Sequence, residues 1–185
     1  LFITPLVPFA ERRIIKMKFK TLLNEKEFVI LDGAMGTVLQ ARGLKTGETP
    51  EILNIENPEL LTDIHSEYIK AGADIIYANT FGANRYKLEK SGSSVEEIIK
   101  AGIKNAKKAC DGTNVLTALD IGPIGQLLEP SGTLSFEEAY DIYKEQVLAG
   151  SEADLIVFET MTDLYELKAA LLAAKENSDK PVICT

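Results

Sequence analysis

Short apolar runs that alternate with helix-like segments constrain the fold of this chain more than any other feature. Strand-like runs occupy residues 28–31, 73–78, 115–119, 155–158 and 181–185. The first four runs are followed by polar residues that recur 47, 41 and 39 positions apart: Asp32, Asn79, Asp120 and Glu159. This repeat predicts parallel strands that pair side by side and are covered by helices.

The segments between the strand-like runs have helical patterns. Apolar residues recur at helical spacing in residues 57–72, 95–110, 135–150 and about 162–175. Gly72 marks the end of the first segment, and Ser135 with Glu138 forms a capping-box pattern at the start of the third. We therefore predict an α/β protein with about four βα units and the start of a fifth strand.

Two architectures are compatible with five parallel strands. A doubly wound sheet is complete at that number, whereas a (β/α)₈ TIM barrel typically needs about 250 residues. Residues 73–80 and 153–160 echo one another two units apart, which fits a barrel, and residues 181–185 end on an apolar strand. We expect residues 17–185 to form the N-terminal half of a barrel that belongs to a longer protein.

The first residues have a different character from the rest. Residues 1–16 contain Pro5 and Pro8, which argue against a continuous helix, and Met17 shortly precedes the first patterned segment. We interpret residues 1–16 as an N-terminal extension, either upstream of a natural start at Met17 or a flexible arm.

Composition disfavours several classes of partner. The net charge of −8 disfavours nucleic acid and anionic membranes, and no apolar run approaches the roughly 20 residues that a membrane-spanning helix needs. Cys110 and Cys184 are too few and too far apart for a disulfide framework, so we expect a cytoplasmic protein.

The polar residues after the strands are the candidate site. Because the carboxyl ends of parallel strands meet at one face, Asp32, Asn79, Asp120 and Glu159 should lie together. Carboxylates there could hold an ammonium group, activate a nucleophile or bind a metal, although such residues also cap loops and helices. The glycines of residues 32–37 allow backbone N–H groups to approach an anion, but the segment lacks the nucleotide-binding glycine patterns.

An ordered series of motifs resembles the homocysteine S-methyltransferase family. The motifs are Leu-Asp-Gly-Ala-Met-Gly-Thr at 31–37, Pro-Glu-Ile-Leu-Asn at 50–54, Ala-Gly-Ala-Asp-Ile-Ile at 71–76, Asn-Thr-Phe-Gly-Ala at 79–83, Asp-Ile-Gly-Pro at 120–123 and Phe-Glu-Thr at 158–160. The similarity is closest to the cobalamin-dependent members that form methionine. Betaine- and S-methylmethionine-dependent members share the family, so the methyl acceptor is better defined than the donor.

The resemblance implies a (β/α)₈ barrel that binds homocysteine. Asp32 and Glu159 would face its ammonium group, and the backbone N–H groups of Gly33, Ala34 and Met35 would face its carboxylate. Asn79, Thr80 and Asp120 would shape or support the pocket. In this family zinc lowers the thiol pKa of homocysteine, and the thiolate then attacks the methyl group of the donor.

The metal and the other cofactors are expected outside this chain. Family members bind zinc through an Asn-Cys and a Gly-Gly-Cys-Cys motif; neither occurs here, and Cys110 and Cys184 match no zinc position. We expect the zinc ligands beyond Thr185, and methylcobalamin and methyltetrahydrofolate on other modules of the full-length enzyme. This part alone is then expected to be inactive.

A non-catalytic half-barrel or interaction module is the alternative interpretation. Such a half-barrel would leave strand edges unpaired, and we expect it to be unstable alone or to self-associate. His65, the only histidine, lies in the first predicted helix, where we expect a structural or surface role.

Overall fold

The computed structural model describes residues 18–45 and 47–185, so the predicted extension at residues 1–16 lies outside the described part. The helices are α1 (18–25), α2 (Met35–Ala41), α3 (Leu53–Glu56), α4 (Pro58–Ala71), α5 (Val95–Cys110), α6 (Phe136–Ala149) and α7 (Leu164–Asn177). The strands are β1 (Ile75–Tyr77), β2 (Leu116–Ile121), β3 (Leu155–Phe158) and β4 (Val182–Cys184). None of the described helices combines the length and apolar character needed to cross a membrane.

All four strands are parallel and lie in the order β1–β2–β3–β4. The register aligns Tyr77 with Ala118, Asp120 with Val157, and Phe158 with Cys184. Within the described residues this sequential order lacks the reversal that defines a doubly wound sheet. The predicted α/β class with a parallel sheet is therefore confirmed.

Residues 28–31 do not form the buried strand that the sequence predicts. Only Leu31 is bridged, to Ile75, and the side chains of Phe28 and Ile30 are 72% and 52% exposed. The reason is that this segment pairs on one side only among the described residues, so no second neighbour buries it. The backbone N–H of Asp32 still donates to the carbonyl of Ile75 at 3.1 Å, which places Asp32 beside β1.

The alternation of side chains along the strands separates the sheet into two faces. One face, which includes Ile76, Leu119 and Ile156, forms a common core with α5, α6 and α7. The other face is apolar at Ile75, Leu116, Ala118, Leu155 and Val157, and Phe19 and Leu22 of α1 pack on it. Continuing the alternation on this second face leads to Tyr77, Asp120 and Glu159. The same face is thus apolar at its centre and acidic at its carboxyl end.

The helix boundaries agree with the predicted ones because local capping determines them. Ser135 and Glu138 form both bonds of the capping box at α6, and Ser94 with Glu97 does the same at α5. Asp163 caps α7, and Gly72 ends α4 with a φ of 106° that suits glycine. The strand boundaries agree less well. β1 and β4 are shorter than the predicted runs at 73–78 and 181–185. β2 runs past residue 119, so Asp120 lies inside the strand, because Ile121 also pairs with Phe158.

His65 is fully buried in α4, which supports the structural role expected for it and excludes a surface one. Neither ring nitrogen has a hydrogen-bond partner among the described residues, and burial lowers the pKa of the ring to about 4. The ring is therefore neutral at physiological pH, and its protonation would place an unpaired charge in the core.

We predict that His65 makes the protein sensitive to acid. An unfolded chain binds the proton near pH 6.5, whereas the folded chain binds it only near pH 4, so stability is complete above pH 6.5 and is lost as the pH falls toward 4. This difference in pKa corresponds to a loss of roughly 3 kcal/mol in the free energy of unfolding. His65→Leu should flatten this decline in the free energy of unfolding, measured by urea denaturation at several pH values. An equal decline in both proteins would show that His65 is not the responsible group.

Candidate functional site

A cavity of about 440 Å³ opens at the carboxyl ends of the strands. It brings together seven of the eight predicted site residues: Asp32, Gly33, Ala34, Met35, Asn79, Asp120 and Glu159. The rest of its lining comes from residues that were not among the eight predicted site residues: Leu31, Gly36, Pro50, Glu51, Tyr77, Ala78, Phe81 and Thr160. Thr80 is the predicted residue that does not line the cavity.

Asp32 is fixed to β1 by two backbone contacts. Its N–H donates to the carbonyl of Ile75, and its carboxylate oxygen Oδ2 accepts the N–H of Tyr77 at 3.0 Å. Burial raises the pKa of Asp32 to about 7, even though the N–H of Tyr77 opposes the shift; the charge of Glu159 adds to it. The carboxyl group is therefore poised to change its ionisation near neutral pH.

Asp120 is the most buried acid of the cavity lining after Glu51, and one of its oxygens is unpaired. The residue is only 6% exposed. Its carboxyl oxygen Oδ1 has no hydrogen-bond partner among the described residues. Burial raises the pKa of Asp120 well above its ordinary value, and the charges of Glu159, Asp32 and Glu51 act in the same direction. The site therefore contains an acceptor that no described group satisfies.

Thr80 supports Asp120 from behind the cavity. Its hydroxyl donates to the carbonyl oxygen of Asp120 at 2.8 Å and lies 3.2 Å from the backbone nitrogen of the same residue, which can donate to it. Thr80 is completely buried. Thr80 therefore links the end of β1 to β2 and does not line the cavity in which a ligand would bind.

Glu159 follows β3 and lies beside the end of β2. Its N–H donates to the carbonyl of Ile121 at 2.9 Å, and burial raises the pKa of its carboxyl group. The next residue, Thr160, has a φ of 58°, a left-handed conformation that is uncommon for threonine. Such backbone strain concentrates at functional sites.

Asn79 lines the cavity but uses its amide for the scaffold. The amide nitrogen donates to the carbonyl of Pro50 at 2.9 Å and to Oδ1 of Asn54 at 3.1 Å. Asn54 returns a hydrogen bond to the carbonyl of Asn79 at 2.8 Å. This pair attaches the 50–56 segment to the end of β1, so it positions Pro50 and Glu51 in the cavity wall.

Glu51 is a buried acid that was not among the predicted site residues, because it lies in a short 3₁₀ helix (Pro50–Ile52) instead of following a strand. Its Oε1 accepts the N–H of Gly82 at 2.6 Å, and burial raises its pKa although the nearby charge of Lys87 opposes this. Lys87 itself donates to the carbonyl of Pro123 and lies over the ring of Phe81. The only signal for Glu51 in the sequence was its place in the 50–54 motif.

Tyr77 was also missed, although its position on the acidic face follows from the alternation along β1. Burial and the charges of Asp120, Glu159 and Asp32 raise the pKa of its phenol to about 12. Its backbone N–H donates the hydrogen bond to Oδ2 of Asp32. The predicted strand at 73–78 contains Tyr77, and the alternation back from Asn79 was the signal for it.

The ring of Tyr68 packs closely against Gly33. A Cβ atom there would lie 2.9 Å from Cε1 of Tyr68. The hydroxyl of Tyr68 donates to the carbonyl of Ala34 at 3.3 Å. Tyr68 thus fixes the loop that carries Asp32 and leads into α2, which begins at Met35 without a side-chain cap.

The arrangement is suited to a cationic ligand. Four acids line the cavity (Asp32, Glu51, Asp120 and Glu159), and none of its described lining residues is Lys, Arg or His. Residues 18–45 and 47–185 contain no group of three or more His, Cys, Asp or Glu side chains placed to bind a metal ion. Carboxylates that face one another without a metal geometry favour a ligand that carries its own N–H donors, such as an ammonium group.

The two cysteines lie outside the cavity. Sγ of Cys110, in α5, lies 3.5 Å from Oγ1 of Thr117, and Cys184 is exposed on β4. Neither belongs to the cavity lining. The residues that the structure describes therefore do not fit the zinc site that the family resemblance implies.

Sequence comparison supports the resemblance independently. The homocysteine S-methyltransferase family model matches residues 29–185. The chain is 34% identical over 180 residues to methionine synthase of Mycobacterium tuberculosis and 33% identical over 162 residues to that of Mycobacterium leprae, and it covers 15% and 13% of those proteins. It is 33% identical over 171 residues to betaine–homocysteine S-methyltransferase 1 of Sus scrofa and covers 60% of it. These matches include 90%, 78% and 88% of this chain, respectively.

Solved structures of the homocysteine methyltransferase MmuM from Escherichia coli share the fold. The metallated form has a TM-score of 0.79 at 24% identity, covering 89% of this chain and 65% of that one. The apo form has a TM-score of 0.71 at 26% identity, covering 91% and 63%. The chain therefore spans less than two thirds of the length of these structures and of the relatives above.

We predict that Asp32→Asn stabilises the ligand-free protein at alkaline pH. The folded protein binds a proton at Asp32 up to about pH 7, whereas an unfolded chain releases it near 3.8, so this contribution to stability is complete below pH 4 and is lost as the pH rises through 7. Asparagine does not titrate. The variant should match the wild type near pH 4 and exceed it by about 1–2 kcal/mol at pH 8.

The measurement is urea denaturation of both proteins at pH 4, 6 and 8, with Asp141→Asn as a control. Asp141 is exposed on α6, so its replacement removes the same charge away from the cavity. A variant that is less stable than the wild type at pH 8 would contradict the assignment of an unfavourable charge to Asp32.

Proposed function

Because the chain belongs to the homocysteine S-methyltransferase family, we propose that its cavity binds the amino-acid part of homocysteine, the methyl acceptor. The observation that carries this proposal is the set of acids at the strand ends with no described side-chain cation in the lining. An α-ammonium group supplies the missing charge together with three N–H donors.

The predicted roles can be assigned to positions in the cavity. Asp32 and Glu159 receive the ammonium group, and the backbone N–H groups of Gly33, Ala34 and Met35 receive the carboxylate. The apolar lining, which includes Phe81 and Pro50, suits the two methylene groups of homocysteine. Asn79, Thr80 and Asp120 maintain the strand ends that carry these groups, and the volume of about 440 Å³ lies in the range of small-molecule sites.

We further propose that residues 17–185 are half of a (β/α)₈ barrel. The sequential parallel order of the strands and the shared core of α5, α6 and α7 on one face support a singly wound sheet. In a barrel the opposite face is the interior, and the carboxyl ends of its strands carry the active site. Both features agree with the position of the acidic cavity.

The metal of the proposed reaction is assigned to residues other than those described. The described residues do not fit a zinc site, so we derive no step through the metal from them. Their part is to bind and orient the amino-acid end of the acceptor. Methylcobalamin and methyltetrahydrofolate, if this is a methionine synthase, belong to other modules of the full-length protein.

The methyl acceptor is proposed here, whereas the methyl donor stays open. Identity is 33–34% both to the methionine synthases and to betaine–homocysteine S-methyltransferase 1, so it favours neither donor. Homocysteine is the substrate that the names of the family and of the betaine enzyme have in common.

We predict that Glu159→Gln weakens the binding of L-homocysteine. The substitution preserves the size of the side chain but removes the charge that receives the ammonium group. Loss of one charged hydrogen bond corresponds to roughly 1.5–3 kcal/mol, or about a 10- to 150-fold increase in Kd. Isothermal titration calorimetry on the full-length protein measures this directly.

Glu152→Gln is the matched control. Glu152 is exposed just before β3, at the opposite end of the same strand, so the substitution makes the same change in net charge away from the cavity. The control should bind as the wild type does. Equal affinity of Glu159→Gln and the control would remove Glu159 from the site, and a wild-type protein that does not bind L-homocysteine would refute the proposed function itself.

A further inference from the structure

We infer that Lys87 is a positioning residue, which holds the ring of Phe81 against the loop after β2 (residues 122–125) and so keeps the apolar wall of the cavity in place. This role rests on the proposed function, in which that wall receives the methylene groups of homocysteine. Lys87 is neither a predicted site residue nor part of the cavity lining. It would act on the ligand only through Phe81, which lines the cavity.

The ring of Phe81 packs on a backbone segment that has no side chain. A Cβ atom at Gly122 would lie 2.5 Å from Cε2 of Phe81. The backbone N–H of Gly122 also donates to the carbonyl of Phe81 at 2.9 Å. Glycine makes room for the ring but offers no side chain to fix its orientation. The orientation of Phe81 therefore depends on contacts from other segments.

The ammonium group of Lys87 contacts both the ring and the loop on which the ring packs. It lies over the ring of Phe81, 5.3 Å from the centroid, which is within the range of cation–π attraction. It also donates to the carbonyl of Pro123 at 2.8 Å. Because Pro123 follows Gly122 directly, one charged group connects the wall residue with its support.

The side chain of Lys87 is guided to this position by its surroundings. A Cβ atom at Gly82 would lie 3.3 Å from Cδ of Lys87, and one at Gly125 would lie 3.4 Å from its Cε. The backbone N–H of Lys87 donates to Oδ1 of Asn84 at 3.1 Å, and Asn84 is only 1% exposed. The base of the side chain is thus fixed, and its stem passes close to two residues that lack side chains.

Two buried acids favour the charged form of this lysine. Partial burial lowers the pKa of Lys87, and the charges of Glu51 and Glu166 oppose the shift. Both acids are fixed by backbone donors: Oε1 of Glu51 accepts the N–H of Gly82, and Oε1 of Glu166 accepts that of Ile124 at 2.7 Å. A neutral side chain at residue 87 would lose these attractions together with the contact to the ring.

A purely structural role is the alternative for Lys87, which lies at the surface. The two roles differ in a double-mutant cycle. A positioning residue affects binding only while the residue that it positions is present, so the effects of the two substitutions are not additive. A structural contribution that does not pass through Phe81 would be the same whether or not the ring is there.

The test measures the dissociation constant of L-homocysteine for the full-length protein by isothermal titration calorimetry. Lys87→Met keeps an apolar stem but removes the charge, and we expect it to weaken binding about fivefold. In a Phe81→Leu background the same substitution should weaken binding by less than about twofold. Lys87→Arg keeps a cation and N–H donors, and it should bind within about twofold of the wild type.

Lys90→Met is the matched control, because Lys90 is exposed three residues further along the same segment and outside the cavity lining. It should bind as the wild type does. Equal effects of Lys87→Met in both backgrounds, or no effect in either, would overturn the positioning role while the proposed function stands. A wild type that does not bind L-homocysteine would refute the proposed function and this role with it.

Urea denaturation of each variant checks that it folds. If Phe81→Leu does not fold, the comparison of Lys87→Met with Lys87→Arg decides the question. Weak binding by the methionine variant and wild-type binding by the arginine variant would support the role, since only the arginine variant keeps the cation. Equal affinities of the two variants would contradict it.

Discussion

The burial of carboxyl groups at the ends of parallel strands is the constraint on which the rest of this structure depends. Burial and the proximity of like charges raise the pKa values of Asp32 and Asp120, and no lining residue that the structure describes supplies a compensating cation. The surrounding scaffold holds the acids in place nonetheless. The N–H of Tyr77 fixes Asp32, and the hydroxyl of Thr80 bonds to the backbone of Asp120.

In a binding site of this kind, the groups that bind the ligand lower the stability of the ligand-free protein. Burial disfavours the ionised forms of Asp32 and Asp120 in the free protein, and the opposite charge of an ammonium group would favour them. Homocysteine, the ligand of the proposed function, carries such a group. The chain covers 13–15% of the methionine synthases to which it is similar, so the account is confined to how the amino-acid end of the acceptor is held.

The sequence predicted most of the helices and the acidic strand ends for reasons that are local. Capping by Ser135 and Asp163 fixes helix starts, and parallel strands necessarily bring Asp120 and Glu159 to the same edge. Burial of residues 28–31 was predicted wrongly, because a strand's burial depends on neighbours that its own sequence does not reveal. Glu51 was missed for a similar reason: the Asn54–Asn79 bonds that bring its segment to the cavity connect distant parts of the chain.

The most direct test of the account is a crystal structure of the full-length protein with L-homocysteine. The account predicts that the ligand's nitrogen lies about 3 Å from the carboxylates of Asp32 and Glu159, while its carboxylate faces the backbone of residues 33–35. A ligand bound in the reverse orientation, or bound away from these acids, would contradict it.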